Sequence, residues 1–150
     1  LFKKQRPRDI NLEVPIAKEF KTLTYFKFNE PALNTFCKEL ALSRKEPYRI
    51  IEKQDMKAFP LKEVLKKHLA EGQSIDFLSV DVEGLDLEVL QSNNWSRFRP
   101  KVVLVEKLYI SLNQLQDEPI HYFMTEKNYQ VFAKAVNTTF YISDEFLASL

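Results

Sequence analysis

The chain predicts an α/β fold with a mixed sheet, on three observations. Two short, continuous apolar runs, Ile75 to Val80 and Val102 to Val105, end abruptly in acid, the first in Asp81 and Glu83 and the second in Glu106. A helix-patterned segment, Asp86 to Asn93, lies between them and suits a right-handed crossover between parallel strands. Near the carboxyl end, Tyr129 to Ala135 and Thr138 to Ser143 flank a tight turn at Val136-Asn137. That pattern predicts an antiparallel hairpin closing the sheet.

Apolar runs without alternation read as strands buried on both faces, as in a parallel sheet. Open α/β sheets bind ligands outside the carboxyl ends of their strands. Asp81, Glu83 and Glu106 are therefore expected to face one crevice.

The remaining elements follow in order. Leu1 to Arg8 reads as the end of a helix with a solvated basic face. Asp9 to Ala17 reads as a strand, with Pro15 marking its end or an edge. Thr22 to Asn29 is β-branched and aromatic and reads as a second strand. The polar Lys18-Glu-Phe-Lys21 between them suggests that the two form a hairpin. Glu30 to Pro47 is loop-like, with one helical turn at Cys37 to Leu42. Tyr48 to Gln54 is a third strand candidate. Pro60 to Leu69 carries a helical stripe at Leu61, Val64, Leu65, His68 and Leu69, with proline at its start and Gly72 beyond its end. Pro119 to Lys127 is a helix with apolar Ile120, Phe123 and Met124.

Composition limits the partners. At 150 residues the chain is long enough for a single domain with a real core. A formal net charge of +1 gives no overall field for nucleic acid or an anionic membrane. The lone cysteine, Cys37, suits a reducing cytoplasm, and no apolar run approaches membrane-spanning length. Glycine is the more telling count, because there are only two, Gly72 and Gly84. Backbone that wraps a phosphate or nucleoside ordinarily needs clustered glycines. These 150 residues contain no GxGxxG and no P-loop.

The segment IDFLSVDVEGLDLEVLQSNNW followed by PKVVLVE resembles the FkbM family of S-adenosylmethionine-dependent methyltransferases. The shared pattern is a strand ending in Asp-x-Glu-Gly, an acidic helix ending in Val-Leu, and a strand ending in Glu. Here those positions are Asp81, Glu83, Gly84, Val89, Leu90 and Glu106. The upstream LTYFKFNEPALNTF and Phe59-Pro60-Leu61 are also similar, and the likeness spans residues 9 to 143. It implies a class I methyltransferase-like (Rossmann-like) three-layer sandwich whose final hairpin closes the sheet. It implies S-adenosylmethionine as cofactor and methyl transfer to an oxygen of a small molecule or sugar. Family members also carry a strand running into Asp-x-Gly-Ala-Asn and a second strand ending in an acid. This sequence lacks both. It is therefore expected to be the carboxyl-terminal portion of a methyltransferase domain, without the amino-terminal strands and inactive by itself. Strand edges left open would favour self-association.

The resemblance implies that Asp81, Glu83 and Glu106 are catalytic and that Asp81 and Gly84 touch the cofactor. An acceptor hydroxyl must lose a proton near the transition state, which a positioned carboxylate can take. Asp81 would face the methionine portion of the cofactor or the substrate. Glu83 would act as base or accept a substrate hydroxyl, and Glu106 would be a second acceptor. A hard cation such as Mg²⁺ is a further partner for such oxygens, although Asp-x-Glu is common without metal. The purely structural reading is that strand-end carboxylates cap helices, as expected of Asp86 and open to Glu83. Two other readings of the whole chain remain. One is a non-catalytic binding module or pseudoenzyme on a methyltransferase scaffold, and the other is a metal-dependent hydrolase. His68 and Trp95 read as packing residues and His121 as a surface residue. Asn34 and Thr35 read as loop residues at the substrate mouth or in a turn, and Arg44 with Lys45 as too small a cluster to argue for a partner.

Overall fold

Two separate sheets organise the chain. The computed structural model describes residues 2–108 and 110–150; Leu1 and Tyr109 lie outside. In chain order the elements are α1 (Phe2–Gln5), β1 (Lys21–Phe28), α2 (Lys38–Ser43), β2 (Ile50–Ala58) and α3 (Leu61–His68). These are followed by β3 (Ile75–Val80), α4 (Asp86–Gln91), β4 (Pro100–Glu106), α5 (Pro119–Glu126), β5 (Tyr129–Ala135), β6 (Thr138–Ser143) and α6 (Asp144–Leu147). Short 3₁₀ turns occur at Pro31–Leu33 and Leu112–Asp117. No described helix is long and apolar enough to cross a membrane.

The larger sheet has the order β3-β4-β6-β5. β3 and β4 run parallel, with Phe77 opposite Val102 and Val80 opposite Val105. The α4 crossover joins them, as the sequence predicts. β4 pairs antiparallel with β6, and β6 with β5. The closing hairpin therefore lies where the Val136-Asn137 turn places it. Its outer strand is interrupted by a bulge between Val131 and Ala133.

One face of this sheet carries the main core. Leu78 and Val80 of β3, Val103 and Val105 of β4, and Tyr141 of β6 pack there. They meet Leu61 of α3, Val89 and Leu90 of α4, and Ile120 and Met124 of α5. Trp95 is buried in the same cluster and donates from Nε1 to the Leu90 carbonyl at 2.8 Å, which makes it a core anchor. Ser92, at the carboxyl end of α4, accepts the Leu61 N–H at 2.9 Å. It thereby caps α3, whose own N-cap residue is Pro60. A side chain from one helix thus supplies the acceptor that a proline at the other's start cannot.

The opposite face is packed differently. Strand neighbours alternate sides, so Phe77, Val102, Leu104 and Phe140 point away from that core. None of them belongs to the cluster, and Phe77 is 63% exposed. Covering on this side is uneven, since Phe77 on the edge strand is exposed while Ile142 of β6, paired with Val102, is 2% exposed. An apolar run reports what each side of a strand can bury, not what is present to cover it.

The amino-terminal hairpin needs correction. Asp9 to Ala17 is not a strand and does not pair with its neighbour. It makes a single parallel bridge, Ile16 to Phe59, held by Ala17 N–H to Phe59 O at 3.0 Å and Phe59 N–H to Pro15 O at 3.1 Å. Pro15 has no N–H to extend a ladder. β1 pairs instead with β2 along its full length, from Lys21 opposite Ala58 to Phe28 opposite Ile50. β2 runs four residues beyond the predicted Tyr48 to Gln54, because its polar carboxyl-terminal half is held by β1 and not by burial. This two-stranded sheet has its own small core of Phe26, Phe28 and Ala41, with Leu33 and Ile50 against it. The helical turn expected at Cys37 to Leu42 is α2, and the helix expected at the start is α1 within residues 2–5.

The outer edge of β3 is straight and apolar, without the bulge that interrupts β5, and such an edge is a template for another strand. The chain is therefore expected to associate with concentration. Phe77→Lys should shift it toward monomer, measured by light scattering across a dilution series, without lowering the melting temperature.

Candidate functional site

The acidic turn after β3 is held in a conformation that side chains rarely adopt. Val80 is buried and ends the strand. Glu83 then takes φ +53° and Gly84 φ +100° before α4 begins. A left-handed glutamate costs of the order of 1–2 kcal/mol unless its surroundings compel it, and three contacts do so. Asp86 accepts the Val82 N–H through Oδ1 at 3.1 Å and the Gly84 N–H through Oδ2 at 3.2 Å. The Thr35 hydroxyl donates to the Glu83 carbonyl at 3.1 Å. Arg44 Nη2 lies 3.4 Å from Glu83 Oε2.

Asp86 thus does a different task from the helix cap expected of it. The N-cap of α4 is Leu85, and the donors Asp86 satisfies precede the helix. It lies 8% exposed beneath the turn and ties both ends of the Val82-Glu83-Gly84 segment. Glu83, the alternative cap, instead turns its carboxylate toward Arg44. Gly84 meets Cys37 Sγ at 3.6 Å from an ideal Cβ position, an ordinary contact, so its backbone and not crowding calls for glycine.

Glu106 enters from the adjacent strand end. Parallel pairing of Val80 with Val105 sets the ends of β3 and β4 level, which brings Glu106 to Asp81. The Asp81 carboxylate beside it raises the Glu106 pKa above its ordinary 4.5. Partial desolvation and the Glu83 charge push the same way, while the Asn137 amide opposes them. Asn137 belongs to the tight turn of the closing hairpin, whose backbone carbonyl also accepts the Lys107 N–H at 2.8 Å.

The acids and Arg44 line one cleft of about 640 Å³. Asp81, Glu83 and Glu106 form one side of it, as the sequence predicts, with Gly84 and Asp86 beside them. Leu33, Leu40 and Arg44 reach it from the β1–β2 region, and Lys107, Leu108, Glu118, Pro119 and Ile120 from the segment after β4. Sequence reasoning set Arg44 aside and did not consider Lys107 or Glu118. Nothing in the local sequence marks them, since they meet the acids only through tertiary packing. Thr35, placed in a loop with a choice of substrate or turn roles, buries its side chain and braces the acidic turn. Asn34 accepts the Phe28 N–H at 2.8 Å and has a turn role. His121 is half-buried, with Nδ1 shielded from water, rather than on the surface. Among the described residues no three His, Cys, Asp or Glu side chains converge to hold a metal ion.

In this α/β sheet the acids stand level at two parallel strand ends, the position at which open sheets bind ligands. The family follows from the sequence as a whole, because a model described as the methyltransferase FkbM domain matches residues 1–131. The chain belongs to that family of methyltransferases. No curated protein and no solved structure matches it.

Two outcomes test this geometry. Gly84→Ala is expected to lower stability by about 1–3 kcal/mol, the usual cost of a strained backbone position. Because space is not the limit, Cys37→Ala in the same chain should not restore it, as urea unfolding would show. The second concerns pH. A carboxyl raised in the folded state binds more protons there than in the unfolded chain, so its ionisation lowers stability as pH rises from 4.5 through its folded pKa. Glu106→Gln should therefore raise the melting temperature at neutral pH and have little effect at pH 4. Asp81→Asn should return the Glu106 titration, followed by NMR, toward its ordinary value.

Proposed function

We propose that this chain serves methyl transfer from S-adenosylmethionine to a hydroxyl oxygen of a small molecule or sugar. The observation that carries this reading is the convergence of Asp81, Glu83, Gly84 and Glu106 on one cleft in a chain of a methyltransferase family.

The residues suit one end of that cofactor. Its amino-acid portion carries an ammonium and a sulfonium, and Asp81 at the mouth of β3 is an anionic neighbour for them. Gly84 lets backbone approach without a side chain in the way. No glycine-rich turn for the nucleoside occurs in these 150 residues, so binding by them alone is expected to be weak. When bound, the cofactor supplies an electrophilic methyl group.

The chain's own residues do the rest. An acceptor hydroxyl placed between Asp81 and Glu106 meets two carboxyl groups, and an ionised one takes the hydroxyl proton as the oxygen becomes nucleophilic. A carboxylate held above its ordinary pKa is a stronger base for that step. Glu83 is fixed by its turn and by Arg44, and accepts a second acceptor hydroxyl. Leu33, Leu40 and Leu87 wall the cleft and exclude water. Holding both partners in line is worth about 7–11 kcal/mol in favourable cases.

Calorimetric titration with S-adenosylhomocysteine tests the assignment, with Asp81→Asn beside the parent. Weak binding that falls at least tenfold in the variant is expected. Equal binding by both would remove Asp81 from the cofactor site. Absence of both binding and transfer of a labelled methyl group would leave the second reading, a non-catalytic binding module on a methyltransferase scaffold.

A further inference from the structure

The cleft holds an arginine whose hydrogen-bonding capacity is largely unspent. The Arg44 side chain is only 12% exposed, yet its one ion pair, to Glu83, is long at 3.4 Å. Its Nε–H is buried and has no acceptor among the described residues. The guanidinium lies over the Phe28 ring, 5.3 Å from its centroid, which fixes its plane. A guanidinium carries five donors in a rigid fork. Burying it with one stretched contact is costly unless another anion completes it. A second, solvent-exposed cation lines the same cleft: Lys107 is 51% exposed and reaches Glu118 only at 3.8 Å.

Resting on the methyltransferase reading, we infer that Arg44 seats an oxyanion of the acceptor, with Lys107 as a second contact. The acceptor is then a polyhydroxylated molecule bearing a carboxylate or a phosphate, such as a sugar acid or sugar phosphate. Both anions match the flat, forked edge of a guanidinium. The division of the cleft supports this. Asp81 and Glu106 would repel an anion from their own end, while they accept hydroxyls well. Arg44, on the β1–β2 side, offers the one well-buried cation among the residues lining the cleft. An anionic substituent at Arg44 thus orients the hydroxyls toward the carboxylates, and a neutral analogue loses that orientation.

The shielded Nε–H provides the readout, since a proton hidden from water exchanges slowly enough to be seen by ¹⁵N-edited NMR. Its cross-peak is identified by its absence in Arg44→Lys. The whole chain is titrated with D-glucuronate, with D-glucose 6-phosphate, and with D-glucose as the neutral control, at matched ionic strength. A saturable shift with one or both anions and none with glucose is expected, and whichever anion binds more tightly names the carboxylate or the phosphate class. Binding followed through backbone resonances should weaken at least tenfold in Arg44→Lys, which keeps the charge and loses the fork. It should weaken severalfold in Lys107→Gln, an exposed change that does not endanger folding. No shift with either anion, an equal shift with glucose, or unchanged affinity in folded Arg44→Lys would overturn the inference. S-adenosylhomocysteine added to the same sample separates the two readings. Its binding without any anion response sinks the oxyanion seat alone. An anion response without it leaves the seat and removes its role in methyl transfer.

Discussion

The Asp86 carboxylate underlies the site. By taking the Val82 and Gly84 N–H groups on its two oxygens, it closes the strand-to-helix turn that presents Glu83 and Gly84 in left-handed conformations. Two amides that would otherwise be left without partners, at the point where β3 stops, are satisfied by one buried acid. The direction of Glu83, the level of Asp81 and the start of α4 all depend on that closure. Strain concentrated in this way is commonly found where a protein binds or reacts.

The second organising relation is between the two sheets. The smaller sheet, built on Phe26, Phe28 and Ala41, reaches the acidic turn through Thr35, Cys37 and Arg44. It supplies the far wall of the cleft as well as its one deeply placed cation. The larger sheet supplies the carboxylates. Charge is therefore divided by element: acids come from the parallel strand ends, and the guanidinium from an excursion between β1 and β2. Lys21 of β1 also pairs with Glu88 of α4 at 2.9 Å, a second tie between the two regions.

Much of the site was legible because it is local. Asp81, Glu83 and Gly84 follow one apolar run and Glu106 ends the next, and the level register of two parallel strands brings them together without help from distant sequence. The β3, β4, β5 and β6 boundaries were read closely for the same reason, since apolar runs and a tight turn punctuate them. The residues that were not legible act at a distance. Arg44 follows a short helix and precedes a lysine and a glutamate, a pattern shared by many surface loops. Only the packing of α2 against Phe28 and the acidic turn buries it beside an anionic neighbour. Strand β2 was read short because Glu52 to Lys57 shows no apolar face to signal it; its pairing is written in β1.

The sequence alone determined the parallel β3–α4–β4 unit, the closing hairpin and the acids at the strand ends, because hydrophobic period and turn chemistry act over a few residues. Tertiary structure decided three other matters. It chose the partner of β1, since any of several strands could satisfy the same amides. It left Phe77 on the edge of the larger sheet exposed while burying Ile142 on the same face, since an apolar side chain cannot name what packs on it. It also set Arg44 beside Glu83, since an ion pair between distant segments is made by the meeting of two surfaces and neither local sequence records the other.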